Sequence, residues 1–275
     1  MDRQKKFNQI CKDIKSVKIQ GAENIAKAAF YAYKLIPTEK SKKILISLRP
    51  TEPMLQNILA FADKMSYNEL LTILKKNKQI VNKNIFKLIK NNSVVFTHCH
   101  SSTVIKSLIY SKKKGKKFEV YNTETRPLFQ GRKTAKELGN AGIKVTMFVD
   151  SAVQIALTKD QDKEEKTKPV NLVLIGSDAI TKNGVINKVG SGMIAKIAKL
   201  NKIPVYIISD SLKFTNKQIV MEQRSPKEVW NIILKKIKIR IKDPAFELVR
   251  KEDITGIITE LGILSHNNFL KKMKN

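Results

Sequence analysis

The hydrophobic rhythm of the 275-residue chain changes once, near Asn91-Asn92. Before that point apolar positions recur at helical spacing. Residues 3–37 predict two helices, the first carrying Phe7, Ile10, Cys11 and Ile14 on one face. The second begins near Gly21-Ala22, carries Ile25, Ala28, Ala29 and Tyr33, and ends before Pro37. Lys43–Leu48 (KILISL) reads as a short strand broken by Arg49-Pro50-Thr51-Glu52-Pro53. From Met54 to about Lys90 the helical period returns, with a break near Ser66. After Asn92 short apolar runs alternate with helical segments. The runs Val94–His98, Phe118–Tyr121, Lys144–Val149, Leu172–Ile175 and Pro204–Ile208 predict strands; 102–113, 130–141, 151–158 and 191–201 predict helices. Past Ser225 come a helix with Trp230, a basic strand-like stretch (IKIRIKD) and a closing segment, Phe246–Leu264. The pattern predicts an α/β protein: a mostly helical N-terminal domain, residues 1–90, and a Rossmann-like parallel-sheet domain, residues 91–275.

Composition narrows the setting. With 42% apolar residues the chain can bury a sizeable core. No run of eighteen apolar residues occurs and the first residues, MDRQKKFNQICKD, hold no apolar signal core, so a cytoplasmic protein without a membrane segment is expected. Two cysteines make no disulfide framework, and Cys11 fits the apolar face of its helix. The formal charge of +29 invites nucleic acid as a partner, yet only seven of the 53 basic residues are arginines. The lysines spread over almost every predicted surface, and aromatic residues are not interleaved among them as base-stacking surfaces require. The charge therefore does not assign nucleic acid as a partner.

Candidate chemistry gathers where the strands end. Cys99 and Ser101 follow the first, Thr123, Glu124 and Arg126 the second, Asp150 and Ser151 the third, Asp178 the fourth, Asp210 and Lys213 the fifth. A ligand crevice along the carboxyl edge of a parallel sheet needs such convergence. Cys99 lies between a strand and a helix start, where a thiol is expected to have a depressed pKa suited to proton transfer; the plainer role is a small residue packed at a strand end. His98, Cys99 and His100 resemble metal ligands in print, but strand neighbours point to opposite faces, so no metal site is expected. In the segment NLVLIGSDAITKNGVINKVGSG a strand delivers Asp178, the Asn183-Gly184 turn reverses the chain, and Asn187-Lys188 follows. Gly190-Ser191-Gly192 then opens a helix whose N–H groups can hold an anion. Gly190–Ala195 matches the dinucleotide fingerprint GxGxxA, but Asp178–Val189 separates it from its strand, so no nicotinamide site is expected. Thr123–Pro127 with Gln130-Gly131-Arg132 reads as a rigid loop for phosphate or subunit contacts, and as a plain turn otherwise.

Taken together, THCHSSTV, TETRPLFQGRKTAKEL, VDSA, GSDAITKNGVINKVGSG and FELVRKEDITGIITELGIL resemble the superfamily of aldose–ketose isomerases and initiation-factor-2B regulatory subunits. The similarity runs from about Gly21 to Leu264. It implies isomerisation of a sugar phosphate without a cofactor, with Cys99 as base and Asp178 as acid. The THCHS form and Lys213-Phe214 resemble the ribose 1,5-bisphosphate isomerases, which implies a place in nucleotide salvage. Substrate contacts are implied at Gly21, Ala22, Arg49, Ser101, Ser102, Thr103, Asn187, Lys188 and Lys213, and Arg126 is added from its loop. A sugar bisphosphate is the implied small-molecule partner, and a homodimer or hexamer the implied assembly. Two departures stand out: Gln20 replaces an arginine before Gly-Ala, and Glu52-Pro53 replaces Ala-Val. They leave open a methylthioribose 1-phosphate isomerase, or a non-catalytic subunit that engages a translation initiation factor.

Overall fold

The computed structural model describes residues 2–158, 167–219, 221, 223–231 and 238–274. Most of the charged stretch Asp160–Lys168 and Ile237 of IKIRIKD lie outside them.

Five helices come first: α1 (Arg3–Lys15), α2 (Ala22–Leu35), α3 (Glu39–Leu48), α4 (Pro53–Ala60) and α5 (Tyr67–Leu88). The break near Ser66 is a capping box. Ser66 Oγ accepts from Glu69 N at 3.2 Å, and Glu69 returns the bond to Ser66 N at 2.7 Å. KILISL, expected as a strand, is helical. Thr38 caps α3 by accepting from Ser41 N at 3.1 Å, and the run turns Leu45 into a core of helices that offers no strand to pair with. Helix propensity of a short apolar run is decided by its neighbours.

The remaining chain alternates as expected: β1 (Ser93–Thr97), α6 (Ser102–Lys113), β2 (Phe118–Thr123), α7 (Gln130–Asn140), β3 (Lys144–Phe148), α8 (Val153–Leu157), β4 (Leu172–Ile175), β5 (Ala179–Thr181), β6 (Gly184–Lys188), α9 (Ser191–Leu200) and β7 (Val205–Ile208). It closes with α10 (Pro226–Val229), β8 (Phe246–Arg250), β9 (Gly256–Thr259), β10 (Gly262–Leu264) and α11 (His266–Lys272). The expected helix around Trp230 is only the single turn α10, with Trp230 exposed just beyond it. The strand-like IKIRIKD forms no strand over its described residues, although its isoleucines alternate with basic residues, and Ile239 is left exposed.

Among the described residues the main sheet runs β10-β9-β7-β4-β1-β2-β3, parallel except for β10 against β9. Both faces are covered, so alternate residues of one strand enter different cores. Val94 and Phe96 join the cluster with α8, α9 and α11, whereas Val95 joins the cluster with α5, α6 and α7. Helix α5 serves two cores, with Leu70 and Leu74 among the N-terminal helices and Val81 and Ile85 against the sheet. The chain leaves β1 in one direction, through β2 to β3, and returns on the other side through β4 to β7. The strand order therefore reverses between β1 and β4, and a crevice opens at their carboxyl ends. A small antiparallel sheet, β5-β6-β8, stands beside it.

One close approach fixes the loop after β2. A Cβ on Gly131 would stand 1.7 Å from Thr123 O, while Asn122 Nδ2 donates to Thr123 O at 3.0 Å and Gly131 O at 2.9 Å. Gly131→Ala is expected to cost about 2–3 kcal/mol by overpacking, read as a lower urea midpoint with an unchanged m-value. A midpoint equal to that of the parent would show that α7 slides away freely.

Candidate active site

Cys99 and Asp178 reach the same crevice from the two sides of the reversal. Both line a cavity of about 300 Å³ at the carboxyl edge of β1, β4 and β7, roofed by the N-terminal helices. Cys99 sits just past β1 with φ 63°, a left-handed conformation that costs a non-glycine residue about 1 kcal/mol or more. Two threonines hold it there. Thr125 Oγ1 accepts from Cys99 N at 3.0 Å, and Thr134 Oγ1 donates to Cys99 O at 2.7 Å. Thr125 is itself left-handed, and Asp150 fixes it by accepting from Thr125 N at 2.8 Å and Arg126 N at 2.6 Å. Thr125 after β2 and Asp150 after β3 thus build the seat of Cys99 and stay out of the cavity wall.

The thiol is not depressed, as its place before a helix suggested. Burial pushes it up to about 12, with the Asp178 and Asp150 carboxylates adding to the rise and the His100 N–H and Lys188 opposing it. Desolvation outweighs the start of α6 because Cys99 sits in the wall of a recessed cavity, with the Asp178 carboxylate nearby. At pH 8, alkylation of Cys99 by iodoacetamide is therefore expected to be about a thousandfold slower than for an ordinary thiol, and to keep accelerating beyond pH 9. Peptide-level mass spectrometry reads this, and a rate that levels off near pH 9 would contradict it.

His98 and His100 do not converge on an ion. His98 Nε2 lies 2.9 Å from Val189 O, which can only accept, so the proton is on Nε2 and Nδ1 accepts from Thr123 Oγ1 at 2.5 Å. Burial keeps that ring's pKa below its ordinary value. His100 Nε2 instead faces Glu137 Oε1 at 3.1 Å. Among the described residues no group of three His, Cys, Asp or Glu side chains is placed to hold a metal ion.

The anion-binding groups sort themselves. Ser101 caps α6, and Ser102 and Thr103 present its first N–H groups to the cavity. Gly176 makes this possible, since a Cβ there would meet Ser101 Oγ at 2.6 Å. The other expected helix start, α9, is already satisfied: Gly192 N donates to Glu247 Oε1 at 2.7 Å, so an internal carboxylate stands where an anion was expected. Asn187 and Lys188 belong to β6 and are buried. The Asn187 amide, assigned with its nitrogen toward Gly176 O and Asp178 Oδ2 at 3.3 Å each, ties β6 to the crevice. The Lys188 side chain makes no hydrogen bond or ion pair among the described residues, although the residue is only 7% exposed. Lys213 donates to Ser177 O. Gly21 and Ala22 open α2 against the cavity, with Arg49 beside them. Arg126 is the one expected contact outside the wall; its guanidinium lies over Phe129 and donates to Val229 O at 3.2 Å.

Known proteins are similar to this chain in sequence and in fold. The profile of the initiation factor 2 subunit family matches residues 39–266. The chain belongs to that family. A relative named ribose 1,5-bisphosphate isomerase, from Methanocaldococcus jannaschii, is 35% identical over 283 residues, covering 91% of this chain and 89% of the relative. A Thermoanaerobacter protein named methylthioribose-1-phosphate isomerase is 32% identical, covering 91% and 85%. The Pyrococcus horikoshii translation initiation factor eIF-2B structure superposes with a TM-score of 0.77 at 25% identity, covering 94% of this chain and 96% of that one.

For this member of the initiation factor 2 subunit family the cavity also holds residues that sequence reasoning passed over. Gln130, quoted only as part of a loop, lines it, with an Oε1 that is buried and has no partner among the described residues. Lys78 reaches it from α5, half-buried against Glu23 at 2.6 Å, a place no local motif marks. Arg224 enters from a segment without regular structure, braced by Glu228 at 2.7 Å. Glu52 is 2% exposed, with Oε1 3.5 Å from Arg49. Its departure from the family pattern thus places a carboxylate in the wall itself. Among the described residues, no helix is long and apolar enough to cross a membrane.

Proposed function

We propose that the chain isomerises ribose 1,5-bisphosphate to ribulose 1,5-bisphosphate, with Cys99 and Asp178 moving the protons. The carrying observation is Lys188, a buried cation without a hydrogen bond or ion pair among the described residues, in the cavity that joins the ends of β1 and β4. The names of the relatives in this family support the choice of sugar.

The phosphate on the first carbon locks the ring, so the bond from that carbon to the ring oxygen must open first. Asp178 gives its proton to the ring oxygen as this bond breaks. Cys99, as thiolate, takes the proton from the second carbon, and the electron pair left behind forms an enol phosphate. The thiol returns that proton to the first carbon while the hydroxyl proton of the second carbon passes to Asp178, leaving the ketone. Atoms and charges balance, and both groups end as they began. In this cycle Asp178 starts protonated and Cys99 as thiolate, so the raised thiol pKa means that substrate binding must first draw the proton off Cys99, which holds it in the empty site. Ser101–Thr103, Arg49, Lys188 and Lys213 serve the phosphates, and Lys188 also faces the negative charge that develops between the two carbons. The dimer or hexamer implied by the family belongs to this proposal, and light scattering of the purified protein tests it.

Incubation with ribose 1,5-bisphosphate followed by phosphorus magnetic resonance is expected to show the ketose bisphosphate. No ketose signal, together with co-purification of a translation initiation factor, would replace this reading with the non-catalytic one. The Glu52–Arg49 pair favours a second reading, because it removes one net positive charge from the wall near Gly21. A sugar with a single phosphate, such as methylthioribose 1-phosphate, would fit a cavity so balanced. Supplying both sugars separates the two readings by kcat/KM. Arg126→Ala is expected to change kcat/KM less than about twofold, since this side chain lies outside the cavity.

A further inference from the structure

We propose that the surface formed by the far ends of α5 and α6, with the turn into β2, docks single-stranded nucleic acid. From Leu70 to Phe118 the chain has twelve lysines and no aspartate or glutamate. The fold gathers the later ones onto one edge. Asn92 N donates to Lys117 O at 2.7 Å and Lys117 N to Asn91 Oδ1 at 3.0 Å, which sets the end of α5 beside the turn after α6. Lys83, Lys87, Lys90, Lys113, Lys114 and Lys117 are exposed there, and none of them forms an ion pair among the described residues. The carboxylate that follows, Glu119, is held by Lys144 at 3.3 Å and by Lys168.

The surface also supplies the aromatic groups that the linear sequence does not show. Phe86 of α5 and Tyr110 of α6 meet edge to face at 6.3 Å, with Lys116 Nζ 4.8 Å above the Phe86 ring. Both rings are half-exposed among the lysines. Three features favour nucleic acid over other polyanions. None of the large exposed apolar side chains falls between Lys83 and Lys117, so the surface lacks an insertion residue for a membrane and an anchor for a protein. Lysines without arginine meet phosphates as point charges and read no base edges. A ring pair at the centre can stack bases of any sequence. The surface lies at the amino ends of β1 and β2, the opposite edge of the sheet from the cavity, so both can be occupied together.

The test is fluorescence anisotropy with a labelled 20-nucleotide oligouridylate on the full chain. With about six phosphates neutralised, log affinity should fall with log salt at a slope of about −4, or about 250-fold from 50 to 200 mM. K113E/K114E/K116E/K117E should bind at least thirtyfold more weakly, with a slope shallower by about 0.7 for each phosphate that is no longer neutralised. Tyr110→Ala should weaken binding about tenfold without changing the slope. The control K5E/K12E/K40E/K43E makes the same charge change on α1 and α3 and should bind within about threefold of the parent. Circular dichroism and Tm establish that each variant is folded. Equal weakening in both quadruple variants would overturn the proposal in favour of overall charge. Phosphatidylserine vesicles or polyglutamate displacing the probe as well as unlabelled oligouridylate, at matched charge, would overturn it as well.

Discussion

Asp178→Asn is expected to lower kcat about a thousandfold with KM within about threefold of the parent, and Cys99→Ser to do nearly the same. An amide keeps the shape of the carboxyl but cannot give a proton to the ring oxygen, so ring opening stalls while binding persists. Serine keeps the left-handed backbone of Cys99 and both threonine bonds, yet its hydroxyl gives up a proton far less readily than even a buried thiol. The double variant should be little worse than either single one, because the two groups act on one proton. The sign of the pH dependence follows from the raised thiol. Cys99 stays protonated up to about 12, so the one-proton pair persists through neutral pH, and any basic limb due to Cys99 lies well above pH 9. The same shift makes the native state hold a proton that the unfolded chain starts to lose near 9. Stability from this group is complete below pH 9 and is lost as pH rises toward 12. Retention of more than a tenth of kcat by either single variant would remove the acid and base roles.

Most of the sheet was legible because its strands are buried on both faces. Val94–Phe96 and Leu172–Ile175 are unbroken apolar runs, and the ends of their strands deliver Cys99 and Asp178. What failed depended on neighbours. KILISL is as good a strand as Leu172–Ile175 in isolation, but it lies among helices with Thr38 to cap it. The depressed thiol was inferred from a helix start, a one-dimensional feature, whereas the depth that reverses its shift comes from elements distant in sequence. Nothing local marks Asn187 and Lys188 as buried; pairing of β6 with β8 buries them. Gly192 looked free until Glu247, 55 residues on, reached it. Sequence identifies the groups that chemistry needs, and tertiary contacts decide which of them stay available.

Lys188→Met is expected to lower kcat/KM about a thousandfold, with KM raised at least tenfold. Other cations of the cavity have structural engagements: Lys213 with Ser177 O, Lys78 with Glu23, Arg224 with Glu228. Lys188 has none among the described residues, so a phosphate or an enolate oxygen can take its interaction. Loss of one preorganised donor to such an oxygen costs about 10²–10³ in kcat, and a weakened phosphate contact adds to KM. A second effect reinforces the first. Lys188 draws the Cys99 thiol and the Asp243 carboxyl downward, so without it the thiol should rise further and react still more slowly with iodoacetamide. Methionine matches the length and fills the buried path of the stem, which limits collapse of the wall. In Lys188→Ala, a small primary amine such as propylamine should restore part of the rate by placing an ammonium in the vacated channel. If Lys188→Met bound ribose 1,5-bisphosphate as tightly as the parent, the anion would have to be held elsewhere in the cavity, and Arg49 with the start of α2 would be the site to test next.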